Sequence, residues 1–193
     1  LRELVDENVL TAGELRTLRR AREFLWRVRN GLHYLAERNE NRLLFNDQRT
    51  LAADFGYRDT EATLAVEKFM KRYYRTLHQV VALTNIGCRT LAAPDPEAGE
   101  RALGPGLVRR GEYLEAAEPE RLASDPANIV AFFEAAQELS PLPPIGAATL
   151  RALRKGASAV NGEVRDRERV RSGLLRMLAR PGRTAGVLRR MNT

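Results

Sequence analysis

Residues 11–38 have the sequence TAGELRTLRRAREFLWRVRNGLHYLAER, and this stretch decides the fold class of the chain. Thr11 and Glu14 have the spacing of a capping box, in which each side chain accepts a hydrogen bond from the other residue's backbone amide. Behind them, apolar residues recur every three, four or seven positions, the period of a helix with one buried stripe. They are Leu18, Leu25, Val28, Leu32 and Leu35. The stretch therefore predicts a long helix that ends near Arg38.

A second long helix is predicted from Thr60 to about Leu91. Its inner face consists of apolar residues at helical spacing, namely Val66, Phe69, Met70, Tyr73, Leu77 and Val80. Between the two long helices, Asn46 is expected to cap a short helix over residues 48–55, which Gly56 closes. Residues 1–8 predict one more short helix at the start of the chain.

Proline and glycine interrupt the pattern in residues 93–106, which predicts a loop. Residues 107–116, centred on Gly111, are candidates for one short β-hairpin. A helix capped by Asp125 and ending before residue 141 is expected next, followed by helices near residues 146–160, 167–180 and 184–191. The predicted fold class is all-α: a bundle of long helices in residues 1–92, a loop over 93–106, and a smaller helical cluster in 107–193.

The composition indicates an intracellular globular segment. No apolar run of the 193 residues approaches the roughly 20 that a membrane span needs. The start carries no signal peptide, and without an initiator Met it suggests a region excised from a longer protein. Cys88 is the single cysteine and lies in an apolar stretch, so we expect a buried thiol, no disulfide and a cytoplasmic location.

The net charge of +7 is unevenly distributed along the chain. Residues 145–193 contain 12 Arg and Lys against 3 Asp and Glu, so this part carries +9 and the rest carries −2. No aromatic residue lies among these arginines, so single-stranded nucleic acid is not an expected partner. Two interpretations remain open: a solvated arginine face, or an interface to an acidic surface of a neighbouring domain or protein.

The sequence contains none of the common catalytic motifs for phosphate chemistry. It has no glycine-rich phosphate loop and no Asp-x-Asp pair that would hold magnesium for nucleotidyl transfer. Its two histidines, His33 and His78, lack the neighbours of a hydrolytic metal site. We therefore predict no catalytic residue, no metal site and no activity for this segment alone.

Several fixed spacings in residues 24–80 nevertheless resemble one enzyme family. Residues 24–33, FLWRVRNGLH, match its pattern F-L-x-x-V-R-x-x-L-H, and residues 38–48 match R-x-x-x-R-L-x-F-x-x-Q. Residues 66–75 match V-E-x-x-M-x-x-Y-[YF]-R. These patterns resemble the helical domain that follows the nucleotidyltransferase domain in bacterial PII uridylyltransferases. The likeness is looser in residues 107–193, which resemble the segment leading into the family's HD domain.

The resemblance implies a larger parent enzyme with separate working parts. A transferase domain would move UMP from UTP, with magnesium, to the signalling protein PII; an HD domain would remove it; and ACT domains would sense glutamine. The present chain has none of their motifs, so the resemblance implies a connecting helical domain that needs no cofactor of its own. Its partners would be the parent's transferase and HD domains.

The family pattern also singles out residues for a role in the parent's nucleotide cleft. A helix face with two basic side chains and the arginines just beyond it offers several donors to a triphosphate. The candidate nucleotide or cleft contacts are Arg29, His33, Arg38, Arg42, Gln48 and Tyr73. The alternative is that Arg29, His33 and Arg42 form salt bridges or hydrogen bonds that tie this domain to the transferase domain, or to its own Glu37 and Glu67. Trp26 and Tyr74 are predicted domain-interface aromatics.

Two rival functions predict different arrangements. An unrelated helical interaction module would scatter Arg29, His33, Arg38 and Arg42 over several surfaces. A helical domain of another nucleotidyltransferase, such as the adenylyltransferase of glutamine synthetase, would keep the cleft role with a different parent reaction.

Overall fold

The computed structural model describes residues 2–92, 99–180 and 182–191. Most of these residues are helical, and the rest of the regular structure is one small antiparallel sheet, which confirms the predicted fold class. The helices are α1 Glu3–Asp6, α2 Ala12–Ala36, α3 Phe45–Asp54, α4 Ala65–Leu91, α5 Pro119–Ser124, α6 Ala127–Ala136, α7 Ala147–Ala157, α8 Gly162–Asp166, α9 Glu168–Leu178 and α10 Thr184–Met191. The strands are β1 Glu100–Gly104, β2 Leu107–Arg110 and β3 Tyr113–Ala116.

Helix α2 begins at the predicted capping box. The Thr11 backbone amide donates to Glu14 Oε2 at 2.8 Å, and the Glu14 amide donates to Thr11 Oγ1 at 3.1 Å. The helix ends at Ala36, where Glu37 adopts a left-handed conformation with φ 50°. Leu35 was predicted in the buried stripe, but it is 40% exposed because the buried face of α2 ends at Leu32.

The chain forms two compact units, residues 1–84 and 85–193. The core of the first unit joins α2, α3 and α4 through six buried side chains: Phe24, Val28, Leu32, Leu51, Ala52 and Phe69. The ring of Phe24 packs against Phe55 and Phe69, with ring centroids 5.7 and 6.3 Å away. Gly31 permits a close approach of α2 to α3, since a Cβ at this position would lie 2.7 Å from Leu51 Cδ2.

Two predicted helix starts in the first unit are wrong. Asn46 is not a cap, because α3 already begins at Phe45, after Leu44, whose carbonyl accepts from the Gln48 amide at 3.0 Å. Thr60 does not open α4, because it pairs with Thr63 in a turn and the helix starts at Ala65. The predicted closing turn at Gly56 is present, with φ 79°.

The second unit contains the sheet, in the order β1-β2-β3. Strands β2 and β3 form the predicted hairpin around Gly111, whose φ is 58°. Strand β1 lies within residues that were predicted to be loop; it pairs with β2 despite a register shift between Ala102 and Gly104. Of the rest of the predicted loop, Pro105 and Gly106 form the turn between β1 and β2, and residues 93–98 lie outside the described residues.

Helices α5 to α10 cover a second core of their own. Phe132, Phe133, Leu114, Ile145, Leu153 and Met177 are among its buried members. A buried polar network ties β3 to α7: the Ala116 amide donates to Thr149 Oγ1 at 2.8 Å, and the Thr149 amide donates to Glu115 Oε2 at 3.0 Å. Sequence reasoning missed the short helices α5 and α8, because four to six residues are too few to show a helical period.

Two further findings concern the chain as a whole. The Cys88 thiol is exposed, so the prediction of a buried thiol is wrong: the side chain lies on the outer side of α4, while Ile86 and Gly87 occupy the buried side. Among the described residues, none of the helices combines the length and the apolar character that crossing a lipid bilayer requires.

Candidate functional site

Arg29 and His33 lie on the side of α2 that faces away from the core of the first unit. They are four residues apart, so their side chains are neighbours on one helix face. Arg29 is exposed, whereas His33 is half-buried. The His33 Nε2 atom is buried and has no hydrogen-bond partner among the described residues. Of the two, only the Arg29 guanidinium is open to a neighbour or a ligand, because the His33 Nε2 atom is enclosed by the chain itself.

Arg38 and Arg42 lie in the segment after α2, where Glu40 holds both. The Arg38 guanidinium donates to Glu40 Oε2 at 2.9 Å, and Arg42 Nε donates to Glu40 Oε1 at 3.4 Å. Glu40 Oε1 also accepts from the backbone amides of Asn41 and Arg42, at 3.0 and 2.9 Å. Both arginine side chains remain largely exposed beyond this contact. Part of their charge is therefore compensated within the domain.

Glu40 is the member of this group that sequence reasoning missed. Its residue is 8% exposed, although it lies between two solvent-exposed arginines. The hydrogen bond from the Arg42 amide, followed by those from Asn41 and Arg38, lowers the pKa of Glu40 to about 2. An acidic residue two positions from each of two arginines was a visible signal, because it is well placed to accept from both.

Gln48 and Tyr73 have roles within the fold of the first unit. Gln48 Nε2 donates to the Leu43 carbonyl at 3.2 Å, which anchors α3 to the segment before it. The half-buried Tyr73 ring stacks on Phe69, with centroids 6.5 Å apart, and meets Tyr74 edge-on at 5.9 Å. In the described part of the chain, neither residue shares a hydrogen bond, ion pair or ring contact with Arg29 or His33.

The six predicted contacts thus fall into three groups. Glu40 brings Arg38 and Arg42 together, α2 places Arg29 beside His33, and Gln48 and Tyr73 belong to the packing of α3 and α4. The arrangement is consistent with a basic surface at one end of α2. The convergence of all six on one ligand stays a prediction.

Exposed aromatic and aliphatic side chains accompany these polar groups. Trp26 is 65% exposed and Tyr74 is 57% exposed, as expected for residues at a domain interface. Tyr34, which sequence reasoning did not single out, is 84% exposed. Leu44, just before α3, and Phe45, the first residue of α3, are also exposed.

The described residues contain no group of three or more His, Cys, Asp or Glu side chains that would hold a metal ion. No step through the magnesium that accompanies UTP is assigned to these residues.

Two family models match the chain. The one described as GlnD PII-uridylyltransferase matches residues 1–87, and the one described as the uridylyltransferase GlnD third domain matches residues 107–193.

The similar proteins found by sequence carry the same description, bifunctional uridylyltransferase/uridylyl-removing enzyme. One from Stutzerimonas stutzeri is 37% identical over 80% of the chain and 18% of its own length. One from Pseudomonas aeruginosa is 32% identical over 100% of the chain and 22% of its own length, and one from Acinetobacter baylyi is 35% identical over 85% and 20%. The chain thus spans about a fifth of the length of these relatives. No solved structure matches it.

Proposed function

The chain belongs to the GlnD PII-uridylyltransferase family, and on that premise we propose that it is a non-catalytic helical middle domain of a bifunctional uridylyltransferase and uridylyl-removing enzyme. In this role it scaffolds the transferase domain and forms one wall of its UTP cleft. The proposal takes its parent reaction from the printed names of the relatives. The rest of such an enzyme supplies the transferase and hydrolase chemistry.

The observation that carries the proposal is the composition of the outer face of α2. Trp26, Arg29 and His33 are spaced three and four residues apart, so they lie on one side of the helix, away from the buried stripe. A largely exposed indole next to an exposed guanidinium without an ion pair is a combination enriched at the centre of contact surfaces. If this face contacted only water, a tryptophan there would not stabilise the helix.

We assign the contact to another part of the same polypeptide. The relatives are about five times as long as the chain, so most of their residues are available to cover this face. The exposed Tyr74 on α4 would extend the covered area. Arg29, Arg38 and Arg42 would then reach the phosphates of UTP at the edge of the interface, where guanidinium groups bind phosphate with two parallel hydrogen bonds.

The wider functional setting follows from the same proposal. The parent would modify the PII protein, hold magnesium with UTP in its transferase domain, and respond to glutamine through domains outside this chain. It would work in the cytoplasm, because a chain with a single cysteine forms no internal disulfide and suits a reducing compartment.

The cleft role is tested by calorimetry on a protein that joins the chain to the transferase domain of the same gene. UTP with magnesium should bind, and Arg29→Gln and Arg42→Gln should each weaken it by about tenfold, since each removes a charged hydrogen bond. Arg49→Gln is the matched control, because it removes the same charge from an exposed site on α3. Helical circular dichroism should stay unchanged in all three variants.

The result that contradicts the cleft role is unchanged UTP affinity in both variants. Arg29 and Arg42 would then serve only the fold or the domain contact. Equal weakening by Arg49→Gln would also contradict it, because the effect would then report net charge rather than a position at the cleft.

A further inference from the structure

A groove between α2 and α4 of the first unit is lined by five basic side chains. Arg20 comes from α2, and the others come from α4. They are Arg20, Lys68, Lys71, Arg72 and Arg75. The groove has a volume of about 490 Å³, and its lining includes no aspartate or glutamate. Its neutral wall is formed by Thr17, Ala21, Phe24, Tyr57, Thr76 and Gln79. We call this the basic groove.

The helical period explains why the cations gather on one side. Lys68, Lys71, Arg72 and Arg75 are spaced three and four residues apart, so they form a single stripe along α4. Like charges at this spacing repel one another and destabilise a helix. Within the described residues none of the five cations forms an ion pair with a carboxylate. The folded domain therefore tolerates an uncompensated cluster of positive charge.

Two of these cations are held in place by neutral partners. The Arg72 guanidinium lies 4.4 Å from the centroid of the Phe24 ring, and its Nη1 donates to the Tyr57 hydroxyl at 3.3 Å. Lys68 Nζ donates to the Arg58 carbonyl at 2.9 Å and to Thr60 Oγ1 at 3.1 Å. These contacts orient the charges without neutralising them. Arg20, Lys71 and Arg75 are exposed and keep all their donors available.

The basic groove is separate from the candidate face of α2. Arg20 and Arg29 are nine residues apart, which is about two and a half helical turns, so they project from opposite sides of the helix. The Glu40 cluster with Arg38 and Arg42 contributes nothing to the groove lining. A ligand in the groove would thus be additional to any contact made by the Arg29 face.

We propose that the basic groove binds a small ligand that carries two or three linked phosphate groups. Its volume lies in the range of small-molecule sites, about 300–1,000 Å³. Guanidinium groups match phosphate oxygens in geometry, and five cations exceed what a single phosphate needs. The concave form and the Phe24 and Tyr57 rings favour a small molecule over a broad acidic protein surface. The ligand is either an inorganic polyphosphate or the phosphate chain of a nucleotide.

The test is calorimetric titration of the 193-residue chain with inorganic tripolyphosphate, without magnesium. The double variant Lys71→Gln/Arg75→Gln should weaken binding by about tenfold or more, since two charged hydrogen-bond donors are lost. It should not lower the melting temperature, because it removes a repulsive pair. The charge-preserving variant Lys71→Arg/Arg75→Lys should bind more tightly than the glutamine variant, because it keeps one ammonium and one guanidinium group in the groove.

The matched control is Arg22→Gln/Arg49→Gln, which removes the same charge from two exposed arginines outside the groove. It should leave affinity within about twofold of the parent, by the usual independence of distant sites. A parallel titration with ATP and UTP identifies the source. If ATP or UTP binds more tightly than tripolyphosphate, the ligand is a nucleotide. If they bind equally, the groove recognises the phosphate chain alone.

Three results would overturn the proposal. Tripolyphosphate and nucleotides both fail to bind; the control loses as much affinity as the groove variant; or an oligoglutamate peptide binds as tightly as tripolyphosphate. Either of the first two results would show that the groove is not a phosphate-binding site. The third would show that the groove binds acidic proteins instead. None of the substitutions alters Arg29 or Arg42, so the outcome is independent of the cleft role.

Discussion

Glu40 organises the turn that follows α2, because its carboxylate gathers two arginines and two backbone amides. These bonds favour the ionised form, so the pKa falls from its usual 4.5 to about 2 in the folded chain. A carboxylate with a depressed pKa stabilises the fold above its unfolded pKa. That stabilisation is lost as the pH falls from about 4.5 to about 2.

We therefore expect Glu40→Gln to lower the urea midpoint of unfolding at pH 7. The difference between variant and parent should shrink as the pH is lowered and be small near pH 2, where about half of the parent's own carboxylate is protonated. The measurement is a series of urea titrations between pH 7 and pH 2. Glu23→Gln, at an exposed carboxylate of α2 with no described ion pair, is the control. A pH-independent difference for Glu40→Gln would show that the pKa shift is absent.

The same residue shows where sequence reasoning stops at this scale. The family pattern identified Arg38 and Arg42 as candidates for a triphosphate, while the structure shows both in contact with Glu40. Short-range pairing of this kind depends on how the chain turns after residue 36, which periodicity does not determine. Exposure was easier to predict, since Trp26 and Tyr74 fall outside the apolar stripes of their helices and are both exposed.

At the scale of elements, the long helices were predictable and the short ones were not. The capping box at Thr11 and the apolar stripes located α2 and α4 to within a few residues of their ends. The hairpin was visible because Gly111 separates two short runs with strand character. Strand β1, by contrast, is extended because it pairs with β2, the next strand in the sequence. Its own composition of glycine and charged residues predicts a loop.

Helix α7 illustrates how packing restricts a single position that periodicity cannot identify. A Cβ at Gly156 would collide with the carbonyl oxygen of Leu122 at the end of α5. A backbone atom has little freedom to move aside, so the two helices depend on the absence of a side chain there. We expect Gly156→Ala to destabilise the chain by about 1–3 kcal/mol, the usual cost of overpacking, measured by urea unfolding.

Gly186→Ala is the matched control on α10. A Cβ at that position meets no atom within 4 Å, and alanine favours the helix by about 0.5–1 kcal/mol over glycine. The two substitutions add the same methyl group and should have opposite signs. A stabilising effect of Gly156→Ala would mean that α5 and α7 are not in close backbone contact.

At the scale of the whole molecule, part of the uneven charge is accounted for by ion pairs within the second unit. Arg176 donates to Glu134 at 2.5 Å, Arg167 pairs with Asp125 at 3.0 Å, and Arg180 pairs with Glu138. The bond from Arg176 lowers the pKa of Glu134. Several arginines of residues 145–193 therefore link α9 to α6, a role that neither a solvated face nor an external interface describes.

In the first unit, by contrast, the exposed Trp26 and Arg29 side chains have no hydrogen bond, ion pair or ring contact among the described residues. Trp26 is the single tryptophan of the 193 residues, and it is 65% exposed, so its fluorescence reports directly on the proposed domain contact. In the chain alone, emission should lie near that of tryptophan in water and be readily quenched by acrylamide. Joining the chain to the transferase domain should shift the emission to shorter wavelength and reduce quenching by about twofold or more, because docking removes the indole from water.

The signal of Trp26 in the joined protein is isolated by subtracting the spectrum of its Trp26→Phe variant. A control protein carries Trp26→Phe together with Glu112→Trp, which places the indole in the exposed turn between β2 and β3, outside the first unit. Its emission should not change on joining, since the proposed contact covers the outer face of α2. If Trp26 stays as accessible to acrylamide in the joined protein as in the chain alone, its face is not the one that meets the transferase domain. Arg29 and His33, which share that side of α2, would then have no route to the UTP cleft.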